Sequence, residues 1–210
     1  EIDTDKYQSV IEGAYKIFIE NGIRNISMDD ICRKMGISKK TMYRFVDNKA
    51  DLLKKITEYV KDRIQQRISE LEKLEMNAID VLLEMSKVSS IRHIRINPMI
   101  TFELRKFYPQ VFEDYLSAKK ILIISAIKTN LEKGINEGLY RQDLNKDIIA
   151  HLYFQKIEDF HNFERDQLED FSYEKVFEVM FENHIRGISN ENGIKYFEKQ
   201  KEKLNFNIHT

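Results

Sequence analysis

The chain is expected to be all-α, and three observations carry that expectation. Only two prolines and seven glycines interrupt 210 residues. Apolar side chains return at i, i+3, i+4 and i+7 along most of the length, which is the period of one helix face. No useful stretch alternates apolar and polar residues, and neither Asn21-Gly22 nor Asn192-Gly193 is flanked by strand-like segments.

Each element has its own justification. The first helix is expected over Thr4–Asn21, where Tyr7, Val10, Ile11, Ala14, Ile17 and Phe18 form one stripe. Gly22 stands where a left-handed C-cap is wanted. Ser27 opens a short second helix as its N-cap, with Asp30 as the acidic half of a capping box, and Met35-Gly36 ends it. Gly36-Ile37-Ser38 makes a tight turn. Ser38 then caps a third helix over about 39–45. Asn48 caps a long fourth helix, with Asp51 placed to reach back to it. Leu52, Leu53, Ile56, Val60, Ile64, Ile68 and Leu71 hold the spacing of that helix for about six turns.

Helices are expected next over 77–90 and 91–96. Asn97-Pro98 interrupts the pattern, because a residue before proline avoids the α region, and a short helix resumes over 99–107. Pro109 fits the first turn of a helix running to about residue 133, with Gly134 and Gly138 bracketing its end. Asn145 caps a helix to about residue 163, Ser172 caps another ending at Gly187, and a charged last helix covers about 193–204. The charged segment 164–170 reads as a surface loop.

Composition excludes several classes. There are 34 basic and 35 acidic side chains, a net charge of −1, so any charge signal has to be local. A single cysteine, Cys32, rules out an internal disulfide framework and a cysteine-based zinc site. It suits a reducing cytosol, and a cytoplasmic location is expected. No window approaches the roughly 18 consecutive apolar residues of a membrane span, and no membrane partner is expected. Glu1-Ile2-Asp3-Thr4-Asp5 has neither a basic region nor an apolar stretch, so no signal peptide is expected there. The sequence has no Gly-X-Ser-X-Gly, P-loop or dinucleotide fingerprint. Neither an enzyme nor a cofactor is expected.

The informative stretch is 27–45, a short helix, a glycine turn and a second short helix. That pattern is a helix-turn-helix, whose second helix enters a major groove. From Arg33 to Arg44 there are five basic residues (Arg33, Lys34, Lys39, Lys40 and Arg44) and no acid, a local patch suited to phosphates. Ser27, Ser38 and Asn48 bring helix N-termini with backbone N–H groups to the same region. Thr41 and Tyr43 offer hydroxyls on the same short helix. Lys49 sits in a first helical turn, where a cation costs about 0.3–1 kcal/mol against the helix dipole, and a phosphate opposite it would account for its presence.

Residues 7–55 resemble the DNA-binding domain of the TetR family of transcriptional regulators. The resemblance rests on Gly22-Ile23 leading to Ser27-Met28-Asp29-Asp30-Ile31, on Met35-Gly36-Ile37-Ser38-Lys39-Lys40-Thr41-Met42-Tyr43-Arg44-Phe45, and on Asn48-Lys49-Ala50-Asp51-Leu52-Leu53. It continues more faintly in Tyr108-Pro109-Gln110-Val111-Phe112 and in the segment from Gly134 to Leu144. Cys32 and Met35 depart from it, standing where the family often has alanine. The resemblance implies a helix-turn-helix DNA-binding domain over 1–47. A helical ligand-binding and dimerisation domain follows over 48–210, with 48–71 as the connecting helix. It also implies a ligand-responsive repressor that binds a pseudo-palindromic double-stranded operator as a homodimer and is released by a small-molecule effector. Ser27, Ser38, Thr41, Tyr43 and Lys49 would sit on phosphates, while Lys39, Lys40 and Arg44 would reach base edges or flanking backbone. The helices near 145–163 and 173–187 would form the dimer interface, with Leu152, Phe154, Val176 and Met180 in it. A pocket within 76–135 would draw on His93, Met99, Phe102, Phe107 and Tyr115, with His161 beside them.

Two alternatives stand beside this reading. Glu158-Asp159-Phe160-His161 matches the Glu-X-X-His of a helical-bundle metalloenzyme. Such bundles need two of these motifs, and no other histidine has a glutamate three residues before it. No metal is expected. The other alternative is a DNA-binding protein that takes no ligand.

Overall fold

A computed structural model describes residues 4–90, 98–161 and 173–203. Ten helices lie among them: α1 (Thr4–Asn21), α2 (Met28–Met35), α3 (Lys39–Met42), α4 (Lys49–Glu72), α5 (Ala78–Ser90), α6 (Pro98–Phe107), α7 (Pro109–Asn136), α8 (Lys146–His161), α9 (Tyr173–Ile188) and α10 (Glu191–Lys203). The only β pairing among the described residues is an isolated antiparallel bridge between Tyr140 and Ser189. No helix among them is long and apolar enough to cross a membrane.

Most elements fall where their local signals put them, and the departures have identifiable causes. α3 stops at Met42 instead of continuing to 45. Tyr43 N still bonds Lys39 O at 2.9 Å, but Phe45 N reaches Met42 O at 3.0 Å, so 43–45 tighten into turns. α10 begins at Glu191, because Asn190 Oδ1 accepts from Gly193 N at 3.1 Å and caps it. α7 runs through Gly134 to Asn136. A side chain at Gly134 would place its Cβ 2.0 Å from the Tyr140 ring, so the glycine is there for close approach. The helix expected over 91–96, the 164–170 loop, the Ser172 cap and the far ends of the 145–163 and 193–204 helices lie outside the described residues.

The chain divides into two compact units. One unit holds α1 to α3, α4 as far as Arg67, α6, and α7 as far as Ile121. Its core joins Val10, Ile11, Ala14, Phe18, Ile31, Met42, Val46, Leu52 and Leu53 to Leu104 of α6 and Phe112 of α7. Burial of apolar area, rather than chain order, therefore assigns α6 to the same unit as the helix-turn-helix.

The second unit holds α4 from Ile68, α5, α7 from Leu122, and α8 to α10. A buried polar chain ties its ends together. Tyr140 donates to Asn130 Oδ1 at 3.1 Å, Asn130 Nδ2 donates to Ala78 O at 2.9 Å, and Ala78 N donates to Glu137 Oε2 at 2.7 Å. Satisfying these groups internally removes the desolvation cost of leaving them unpaired.

In that unit His184 lies buried and stacked on Tyr153, with ring centroids 3.5 Å apart and planes 4° apart. Burial, with a smaller contribution from the Lys156 charge, pushes the His184 imidazole down to about 3 from the ordinary 6.5. Below 6.5 the unfolded chain takes up a proton that the folded chain refuses, so stability falls as pH drops from 6.5 towards 3. At pH 5 this costs about 2 kcal/mol relative to neutral pH. Denaturant melts of the wild type and His184→Phe at pH 7 and pH 5 check it. The variant is expected to lose less stability on acidification, and equal losses would refute the assignment.

Candidate nucleic-acid interface

The local sequence builds the 27–49 segment almost entirely by capping. Ser27 Oγ accepts from Asp30 N at 3.1 Å, and Asp30 Oδ2 accepts from Ser27 N at 3.1 Å, which completes the capping box of α2. Hydrogen bonds from the Ser27 hydroxyl and backbone hold the Asp30 carboxyl below its usual range. Gly36 takes the left-handed conformation at φ 66° and ends α2, with Ile37 N bonding Cys32 O at 3.0 Å. Ser38 Oγ accepts from Thr41 N at 3.0 Å and lies 2.9 Å from the Thr41 hydroxyl. Asn48 Oδ1 accepts from Asp51 N at 3.0 Å, whereas Asp51 Oδ2 accepts from Asp47 N, one residue before the expected partner.

These caps orient α3 and the turns after it. Met42 is fully buried, and Phe45 and Val46 are buried beside it. Lys39, Lys40, Tyr43 and Arg44 are exposed and Thr41 is half-buried. The apolar side anchors the segment, and the basic and phenolic side chains project from the other side.

The five cations of this stretch are not equivalent. Arg33 pairs with Asp30, and Lys39 pairs with Asp29 at 2.6 Å. The Asp29 carboxylate, hydrogen-bonded to Lys39, raises the pKa of that ammonium. Lys34 donates to Asn21 Oδ1 at 3.3 Å. No described acid pairs with Lys40 or Arg44, and the Arg44 guanidinium lies 6.0 Å from the Phe45 ring centre. The patch is therefore narrower than its sequence implies. Asp29 and Asp30 lie just N-terminal to the acid-free run, and helical i, i+3 spacing already pairs Asp30 with Arg33.

Lys49 already has partners within the fold. Its Nζ donates to Ile23 O and Ile26 O at 2.5 Å each and lies 5.9 Å from the Phe18 ring centre. Partial burial lowers its pKa. The two carbonyl partners offset the unfavourable helix-dipole position and account for the lysine without a phosphate. Beneath it, Glu103 of α6 is buried and accepts from Ile23 N at 2.6 Å and Arg24 N at 3.0 Å. Sequence reading missed Glu103, because nothing local ties a residue in α6 to a turn 79 and 80 residues earlier.

The other expected sites are placed as follows. Met99, Phe102 and Phe107 on α6 are exposed in the first unit. Lys106 lies 5.4 Å from the Phe102 ring centre and Arg24 lies 5.5 Å from that of Phe107. Tyr115 is half-buried, with Lys119 6.0 Å from its ring centre. His93 and the His161 side chain lie outside the described residues. On α8, Leu152 is exposed and Ile148 is exposed one turn before it; on α9, Val176 and Met180 are half-buried and Val179 is exposed. Phe154, expected at an interface, is instead buried in the core of its own unit with Ala150 and Tyr153, since it falls on the inward side of α8. Cys32 is a buried free thiol, and burial raises its pKa. Among the described residues no group of three or more His, Cys, Asp or Glu side chains could hold a metal ion.

Two capped helices around a glycine turn, one carrying an outward basic side, define a helix-turn-helix segment. Residues 10–56 match the model of the bacterial regulatory proteins of the tetR family. The likeness to that family's sequence lies in this stretch, α1 from Val10 through the start of α4. An HTH-type transcriptional regulator of Staphylococcus aureus (strain USA300) is 44% identical over 45 residues, which is 21% of this chain and 24% of that protein. The match thus spans about a quarter of the curated relative's length. Among solved structures, a TetR transcription regulator of Haloarcula marismortui has the same fold at a TM-score of 0.74 and 16% identity, covering 89% of this chain and 100% of that one. E. coli NemR in its reduced form gives 0.73 at 12% identity, over 89% and 97%. Bacillus subtilis FadR in complex with stearoyl-CoA gives 0.65 at 20% identity, over 87% and 99%.

Proposed function

We propose that the protein is a sequence-specific transcriptional repressor that binds a pseudo-palindromic duplex operator as a homodimer and releases it on binding a small molecule. The observation that carries this reading is the outward set Lys39, Lys40, Tyr43 and Arg44 on the buried anchor Met42, Phe45 and Val46. Lys40 and Arg44 would meet base edges or adjacent phosphates. The hydroxyls of Ser27, Ser38 and Thr41 would add phosphate contacts, and Lys49 would have to leave the Ile23 and Ile26 carbonyls to join them. The DNA-contacting part is 1–47, and 48–210 serves ligand binding and dimerisation, in a cytoplasmic protein.

One short recognition helix reads few base pairs. Two copies placed about 34–36 Å apart read successive major grooves. Exposed Ile148 and Leu152 on α8 and Val179 on α9 support a self-association surface. The fold neighbour solved with stearoyl-CoA supports a small-molecule ligand for this fold. Ligand release needs a coupling of about 1–3 kcal/mol, a change of roughly 5–150-fold in affinity.

A salt titration of binding to random duplex DNA tests the reading. Binding is expected to weaken steeply, with log affinity falling linearly in log salt at a slope of about −0.9 per phosphate neutralised. Binding that does not respond to salt, or no binding at all, would refute it.

A further inference from the structure

The five residues from Gly22 to Ile26 lead straight into the Ser27 cap of α2, so their path sets where the helix-turn-helix starts. Both polar edges of this turn are held from outside it. Its N–H edge is held by α6, where Glu103 Oε2 accepts from Ile23 N at 2.6 Å and Arg24 N at 3.0 Å. Its C=O edge is held by α4, where Lys49 Nζ donates to Ile23 O and Ile26 O. The two charges also attract one another across the turn.

Three further observations show the fit. Gly22 adopts φ +78°, and a Cβ there would sit 3.1 Å from Glu103 Oε2, so this position needs glycine both for its backbone and to admit the carboxylate. Ile23 and Ile26 are buried in the core, which fixes the turn between its two clamps. The Arg24 guanidinium lies over the Phe107 ring, one turn along α6 from Glu103, and gives α6 a second hold on the same turn. Charge-assisted hydrogen bonds to a buried carboxylate are among the strong ones. Removing this carboxylate would also leave the half-buried Lys49 ammonium without its counter-charge.

We propose that Glu103 is a positioning residue for operator recognition: by accepting the Ile23 and Arg24 N–H groups it fixes the direction in which α2 and α3 leave the turn. This rests on the DNA-binding reading above. Sequence-specific contacts need α3 at a defined angle, whereas random-duplex binding draws on phosphate charge that tolerates reorientation. Loss of Glu103 therefore separates the two.

The test uses the full chain and a duplex selected by the wild type from a random-sequence library. Glu103→Gln keeps the shape of the side chain and one acceptor oxygen but removes the charge that strengthens both hydrogen bonds and faces Lys49. Glu103→Asp keeps the charge and withdraws it by one methylene. Glu113→Gln, on the exposed side of α7, is the control for net charge. Both Glu103 variants are expected to weaken selected-duplex binding by about tenfold or more while random-duplex binding at the same salt stays within about twofold. Amide exchange at Ile23 and Arg24 is expected to quicken in both, and Glu113→Gln is expected to change neither readout. If the Gln variant fails to fold, the Asp variant decides the matter. Folded Glu103 variants that keep selected-duplex affinity, even with faster amide exchange, would reduce Glu103 to a purely structural latch and overturn the proposal. Equal losses on both duplexes would overturn it as well. A wild type that binds no duplex would overturn the DNA-binding reading itself and this inference with it.

Discussion

Replacing Lys40 and Arg44 together with alanine is expected to lower affinity for duplex DNA by about a hundredfold and to flatten the salt slope by about two. Both side chains are exposed, and no described acid pairs with either, so their charge is available to a polyanion. Neither belongs to the Met42, Phe45 and Val46 anchor, so the fold should survive the change. Lys39→Ala is expected to cost less, because Asp29 already pairs with Lys39 and its removal frees an acid in the same place. Fluorescence anisotropy with a labelled duplex across a salt series reads both quantities. A double variant that binds like the wild type would remove α3 from the interface.

Phe18→Ala is expected to destabilise the first unit by about 3–5 kcal/mol. Phe18 is 2% exposed and packs in the core that holds α1, α2 and α4 together with Leu104 and Phe112. Its ring also underlies the Lys49 ammonium, so truncation removes packing and a cation–π contact at once. The residual cavity lies under the helix-turn-helix and cannot be filled from solvent without wetting apolar side chains. Urea denaturation followed by circular dichroism measures the loss. A change below about 1 kcal/mol would show that the site collapses freely or that Phe18 is not central to this core.

The parts of this molecule that could be read from the sequence are those whose causes lie within a few residues. The Ser27–Asp30 box, the Gly36 stop, the Ser38 and Asn48 caps and the stripe of α1 are all such local signals, and each stands where the sequence places it. The Lys49 hydrogen bonds are not legible locally, because its partners, the Ile23 and Ile26 carbonyls, come into reach only once the turn has folded back. Phe154 and Leu152 look alike in a list of apolar residues on one helix. Two positions of separation turn one inward and the other outward. Met99, Phe102 and Phe107 show the same difficulty on α6, since a list of residues does not tell an exposed apolar side chain from a buried one. Glu103 is the extreme case: a glutamate within a run of ordinary helix-forming residues, whose role is set by a turn 79 and 80 residues away.

The stack of Arg24 on Phe107 has an optical consequence. The chain contains no tryptophan, so indole emission starts from a dark background. Phe107→Trp would install a lone indole at a partly exposed site, beneath a guanidinium carried by the turn that leads into α2. Its wavelength and quenching would follow the distance between α6 and that turn in real time, without a label.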